Sequence, residues 1–134
     1  MNYFIGELLL EDRPKRGHEE EALQRDVVEF LRWALPFDAV YFAVPNGGKR
    51  HIKIAQRLVP QGVRAGVPDL CIVHAGRALF VELKTPTGAL SASQRQMHAR
   101  LHVAGAAVHV CRSVPQVEAV LRELGVPLQA RVAT

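Results

Sequence analysis

Apolar residues between positions 18 and 35 recur with the period of an amphipathic helix. Two further helices are predicted over residues 91–103 and 113–124. Each begins with a serine that is followed three residues later by a glutamine, which is the spacing of a capping box. Gly105 and Gly125 end these two segments. The apolar face of the first helix consists of Leu23, Val27, Phe30, Leu31 and Ala34.

Four short runs rich in β-branched and aromatic residues predict strands. The turn Ala75-Gly76-Arg77, between the second and third runs, is typical of a β-hairpin. A helix joins the third and fourth runs, so we expect these two strands to be parallel. Apart from a short helix predicted over residues 52–59, the order is α-β-β-β-α-β-α, a mixed sheet flanked by helices. The strands cover residues 39–44, 70–74, 78–83 and 106–111.

Composition indicates a single soluble α/β domain. The chain has 134 residues, of which 49% are hydrophobic, and its mean hydropathy is +0.04. The sequence has no apolar run long enough to span a bilayer and does not begin like a signal peptide. Cys71 and Cys111 fall in predicted strands, where buried thiols are expected rather than a disulfide. We therefore expect a cytoplasmic protein with no membrane contact.

The two ends of the chain lack the periodicity of the centre. Residues 1–17 are expected to form a peripheral arm that adds a strand, packs on the domain or meets a second subunit. Residues 18–126 form the domain itself, and residues 127–134 are expected to be a loose tail.

Three charged residues interrupt the apolar pattern of the predicted hairpin. Asp69 opens the first strand of the hairpin, directly after Pro68, and Glu82 and Lys84 end the second. Residues two apart on a strand share a face, and hairpin pairing brings Asp69 towards the same place. Two converging carboxylates form an oxygen site suited to Mg²⁺ or Mn²⁺, to which the main-chain carbonyl of Leu83 could add a ligand. A lysine beside it would stabilise a phosphoryl group or orient a water molecule.

An acidic residue also falls on the apolar face of the first helix. The helix dipole favours acids in the first turn, which accounts for most of the run of three glutamates at positions 19–21. Glu20, however, continues the inward-facing stripe and needs a partner, which a metal ion or a lysine would provide.

Cations and glycines gather on the approach to Asp69 and predict contacts with a phosphate backbone. The net charge of +4 and the isoelectric point near 9.5 favour a polyanionic partner. The same residues would also fit flexible turns with solvated charges. The residues in question are Asn46, Gly47, Gly48, Lys49, Arg50, Lys53, Arg57 and Arg64.

The order of these motifs resembles that of a nuclease family. Pro68-Asp69 and Glu82-Leu83-Lys84 resemble the PD-(D/E)XK nuclease signature, and residues 18–124 as a whole resemble a VRR-NUC domain, the virus-type replication-repair branch of that superfamily. The further matches are Glu20 with Gln24, the loop at 45–50, Gly62, Gly66-Val67, and Ser91 with Gln94.

This resemblance implies a restriction-endonuclease-like αβββαβ core and metal-dependent hydrolysis of phosphodiester bonds. It implies that Asp69 and Glu82 hold the metal, with Glu20 contributing directly or through water, and that Lys84 positions water or stabilises the phosphate. It places Gln94 near the scissile strand, and Ser91 is expected to contact DNA. The length is similar to that of stand-alone phage and bacterial members, which implies a homodimer acting on branched DNA such as four-way junctions.

Three other functions fit parts of the same pattern. A non-catalytic DNA-binding module of the same fold would bind without cleaving, and an RNA-directed nuclease would share the phosphate chemistry. A small metabolic metalloenzyme would have no affinity for polyanions, against which the cations near residues 49–57 argue.

Overall fold

A computed structural model describes residues 18–45 and 57–133 of the chain. The helices and strands follow the predicted order, and the bounds agree with the sequence pattern to within one or two residues. Residues 57–58 are helical and lead into a 3₁₀ turn, whereas the rest of the helix predicted over 52–59 lies outside the described residues. The elements are α1 Glu19–Ala34, β1 Val40–Ala43, the 3₁₀ turn Val59–Gln61, β2 Leu70–His74, β3 Arg77–Leu83, α2 Ala92–Val103, β4 Ala107–Cys111 and α3 Val114–Glu123.

The strands form one mixed sheet in the order β1-β2-β3-β4. The first three strands form an antiparallel meander, and β4 pairs with β3 in parallel after the crossover through α2. The mixed α/β architecture predicted from the sequence is therefore confirmed. In the β2–β3 hairpin Leu70 lies opposite Val81, and this register decides which side chains meet at the edge of the sheet.

The core lies between one face of the sheet and helices α1 and α3. The alternate residues of β2 and β3 that point to this face are buried together with the apolar stripe of α1. By contrast, the residues of α2 all remain at least partly exposed, and this helix contacts β4. The buried residues of the sheet that face α1 and α3 are Leu70, Ile72, Leu79, Val81, Leu83 and Cys111.

The predicted caps are present, and one of them is complete. At α2 the Ser91 hydroxyl accepts a hydrogen bond from the Gln94 N–H, and the Gln94 side chain accepts one from the Ser91 N–H. At α3 the Ser113 hydroxyl caps the helix, but the Gln116 side chain accepts its hydrogen bond from the Arg112 N–H instead.

The expectation of a loose carboxyl-terminal tail is wrong for residues 127–133. The N–H of Gln129 donates to the carbonyl of Ala34 at 2.7 Å, and the N–H of Val132 donates to Glu118 Oε1 at 3.1 Å. Apolar residues at every second position, from Val126 to Val132, pack against the core. A segment with one apolar side is therefore hydrogen bonded to the end of α1 and to the middle of α3. The predicted arm at residues 1–17 lies outside the described residues.

Both cysteines are buried free thiols, as expected. Among the residues that the structure describes, the helices are too short or too polar to cross a membrane.

Candidate active site

The hairpin register brings the two carboxylates of the sequence motif together. Because Leu70 pairs with Val81, Asp69 and Glu82 occupy the next opposed positions, on the sheet face away from the core. Their carboxyl groups are hydrogen bonded to each other. The N–H of Leu83 donates to Asp69 Oδ2 at 2.7 Å, which fixes one oxygen of that carboxylate to the main chain of the neighbouring strand.

Glu82 is almost completely buried, with 2% of its surface exposed. Burial, followed by the hydrogen bond and the charge of Asp69, raises the pKa of the Glu82 carboxyl group to about 9, although the Lys84 charge opposes this change. Glu82 therefore holds a proton at neutral pH when no cation is bound.

A divalent cation fits this pair of carboxylates. A carboxyl group that is protonated because of burial and of a neighbouring carboxylate is one that a bound cation would stabilise in ionised form. The described residues contain no group of three or more His, Cys, Asp and Glu side chains arranged to hold a metal. Mg²⁺ suits such a site, since it commonly binds through one or two carboxylates and completes its shell with water and phosphate oxygens.

Lys84 lies beside the carboxylate pair and is itself 8% exposed. Its Nζ atom lies 3.8 Å from Oε1 of Glu20, which projects from the first turn of α1. Glu20 thus has a lysine as its partner, but its side chain does not face the interior as the apolar stripe predicts. The Glu20 side chain remains 47% exposed, so it lies at the mouth of the site rather than inside it.

The loop after Lys84 is held by a residue that the sequence did not single out. Arg112 follows β4 directly, and its Nη1 atom donates to the carbonyls of Thr85 at 2.6 Å and Gly88 at 2.7 Å. Since the N–H of Lys84 donates to the carbonyl of Cys111 at 3.1 Å, the end of β3 is tied to β4 on both sides of the lysine.

The amino end of α2 packs against the loop that leads into Asp69. Gly66 has φ +81°, and a Cβ atom at this position would lie 2.2 Å from the carbonyl oxygen of Ser93. A side chain is therefore excluded both by conformation and by space. This contact joins two motifs that lie far apart in the sequence, the Gly66-Val67-Pro68-Asp69 run and the capping box of α2.

The site also contains His98, to which the sequence analysis gave no role. His98 Nε2 lies 3.1 Å from Glu82 Oε1, and the His98 side chain is 12% exposed. Burial is the largest cause that lowers the pKa of His98, so the imidazole is neutral near pH 7. One signal was available: His98 follows Gln94 by four residues and therefore shares its side of the helix.

The other predicted residues fall into two groups. Gln94 is in place beside the Gly66 loop, where its side-chain oxygen serves the cap, and its catalytic role stays a prediction, as does the metal contact of the Leu83 carbonyl. Of the predicted DNA contacts, Arg57, Arg64 and Ser91 are described and exposed. The remaining predicted contacts lie outside the described residues, namely Asn46, Gly47, Gly48, Lys49, Arg50 and Lys53.

Comparison with known proteins gives a consistent result. The family described as "VRR-NUC domain" matches residues 16–115. A solved structure called "VRR_NUC domain protein" is 20% identical with a TM-score of 0.60, and the match covers 78% of this chain and 85% of that one. A second, called "VRR_NUC domain", is 24% identical with a TM-score of 0.54, and the match covers 77% and 94%. At these identities the two structures show a common fold. No curated protein matches the chain significantly.

Proposed function

The chain belongs to the VRR-NUC domain family, a family of nucleases, as its motifs predict, and we propose that it is a divalent-metal-dependent DNA endonuclease. The observation that carries the proposal is the buried Glu82 carboxyl group, which lies beside the half-buried Asp69 and the ammonium group of Lys84. A buried acid whose pKa is raised in this way is costly for a domain that only binds DNA. It is useful where a cation must be held against a phosphate.

Each residue has a defined part in the proposed reaction. Asp69 and Glu82 would hold Mg²⁺ or Mn²⁺, and the bound cation would supply activation of the water that attacks phosphorus and stabilisation of the negative charge on the phosphate as the sugar oxygen leaves. Lys84 supplies a positive charge where negative charge develops on the phosphate, or orients the water. Glu20 keeps the lysine at the mouth of the site through their ion pair. Whether Glu20 also contributes to the metal, directly or through water, is part of the proposal.

The proposed substrate is DNA, with a preference for branched duplexes such as four-way junctions. The net charge of +4 and the exposed Arg57 and Arg64 support a polyanionic substrate. A homodimer would place two active sites across one branched substrate, so that each site could cleave one strand. The proposal places the protein in the cytoplasm of a bacterial or phage-infected cell, which the two free thiols support.

A substrate panel tests this proposal. The protein is incubated with Mg²⁺ or Mn²⁺ and labelled four-way junction, 5′ flap, linear duplex, single-stranded DNA and RNA. Lys84→Ala should abolish cleavage. Arg122→Ala serves as the matched control because it removes one exposed cation that pairs with Glu118 on α3.

The outcomes separate the competing functions. Cleavage of the junction that is lost only in Lys84→Ala supports the proposal, and light scattering then measures whether the active species is a dimer. Binding of DNA without cleavage of any substrate would instead indicate a binding module. Cleavage confined to RNA would refute the DNA assignment while leaving the phosphate chemistry intact.

A further inference from the structure

The two carboxylates of the site are held in different ways. Asp69 is fixed by a main-chain donor, the N–H of Leu83, which is part of the sheet and does not depend on any one side chain. Glu82 is fixed at Oε1 by a side chain, His98 Nε2, at 3.1 Å. The orientation of Glu82 is therefore the part of the site that a single substitution elsewhere can change.

A glutamate has three side-chain torsions, so its carboxylate needs an external contact to take one direction. In the observed arrangement His98 contacts Oε1 of Glu82, and the carboxyl group is also hydrogen bonded to Asp69, a contact that a cation held by both carboxylates would replace. The imidazole approaches from α2, and the contact is shielded from water, with side-chain exposures of 12% for His98 and 2% for Glu82. A hydrogen bond in such surroundings competes little with water and holds its geometry well.

Resting on the proposed function, we propose that His98 is a positioning residue, which holds the Glu82 carboxylate in the direction that binds the divalent cation. The Nε2–H group donates to Oε1, and the metal is bound by the other oxygen. Such outer partners of metal ligands commonly contribute roughly 10- to 100-fold to metal affinity or activity. His98 touches neither the substrate nor the metal in this arrangement and acts only through Glu82.

The test is the affinity of the full chain for Mn²⁺ and for Mg²⁺, measured by calorimetry in the absence of DNA. His98→Ala should weaken the binding of both ions by roughly tenfold or more. His98→Gln should restore most of the affinity, because the glutamine amide nitrogen reaches the place of Nε2. His98→Asn should not, because its amide reaches only the place of Nδ1. His102→Ala is the matched control, since His102 lies one turn further along α2 and is exposed.

Two further measurements separate positioning from other roles. Thermal unfolding without metal shows whether a variant has simply lost its fold. Cleavage by His98→Ala should recover at saturating Mn²⁺, because a defect in metal affinity is overcome by concentration. If cleavage by a folded His98→Ala protein does not recover, the result contradicts a positioning role and indicates that His98 takes part in the chemical step.

The remaining outcomes are equally decisive. The inference is overturned if His98→Ala binds the metal ions as tightly as the wild type. It is also overturned if His98→Gln binds them as weakly as His98→Ala. Neither result would affect the proposed nuclease function. A larger loss for Mn²⁺ than for Mg²⁺ would show that the imidazole binds the metal itself, which also overturns it. If the wild-type protein binds neither ion and cleaves nothing, the proposed function fails and this inference fails with it.

Discussion

Raising the pH should destabilise the metal-free protein through one group, Glu82. In the unfolded chain its pKa is near the ordinary value of 4.5, whereas burial and the neighbouring Asp69 raise it to about 9 in the folded protein. At pH values between these two, only the folded state holds the proton, so each unit by which the pH rises favours unfolding. Below the lower value both states are protonated, and the stabilisation is complete.

The size of the effect follows from the number of protons. One proton held only by the folded state changes the free energy of unfolding by about 1.4 kcal/mol per pH unit. From about pH 6 to about pH 8 the loss would reach roughly 3 kcal/mol, a large part of the stability of an ordinary domain. His98 has the opposite effect on the free energy of unfolding. Its pKa is lowered in the folded protein, so its contribution to stability is lost as the pH falls.

The assay is urea unfolding of wild type and Glu82→Gln in the presence of a chelator, at half-unit steps of pH. Glu82→Gln retains the shape of the side chain but has no proton to release, so its stability should change less over this range. Subtracting the two curves removes the titrating groups that lie away from Glu82, whereas His98 and Asp69, which contact it, are removed only in part. Parallel curves would refute the conclusion that Glu82 is a protonated, buried acid. Added Mn²⁺ should stabilise only the wild type, and more strongly at higher pH.

Three further substitutions, together with Gly76→Ala as a comparison for Gly66→Ala, test the support around the site. Gly66→Ala should prevent stable folding, because its Cβ would lie 2.2 Å from the Ser93 carbonyl oxygen. Gly76→Ala, at φ +78° with no atom of the described structure within 4 Å, should cost only about 1 to 2 kcal/mol by thermal unfolding. Arg112→Ala should speed proteolysis of the loop after Lys84 and reduce cleavage of DNA, because it removes two hydrogen bonds to carbonyl groups. Ser91→Ala should cost about 1 kcal/mol in urea unfolding through the lost cap of α2.

Much of the site could be predicted because it depends on local rules. The two-residue alternation of a strand and a short glycine turn fix the hairpin, and the hairpin fixes Asp69 opposite Glu82. The capping box at Ser91 depends on residues three apart, which the sequence shows directly. For Glu20, the position on the apolar face of its helix indicated a partner, but not that the side chain would remain 47% exposed.

The residues that were missed depend on contacts across the fold. Arg112 binds carbonyl groups 24 and 27 positions earlier in the chain, and no local pattern predicts which main-chain groups a surface arginine will reach. The side of α2 that carries His98 could be inferred, but the docking of that side on Glu82 depends on how the helix crosses the sheet. The final segment was missed because its alternating apolar residues are short and lie beyond the last helix.

The central claim is that Asp69, Glu82 and Lys84 form a metal-dependent centre for phosphodiester hydrolysis. The most direct test is cleavage of a labelled four-way junction by wild type and Glu82→Ala with Mn²⁺, with and without a chelator. Binding of the same junction should be retained by both proteins. We expect the wild type to cleave the junction, the chelator to abolish this cleavage, and Glu82→Ala to lack it. A folded Glu82→Ala protein with full activity would show that Glu82 is not part of the centre.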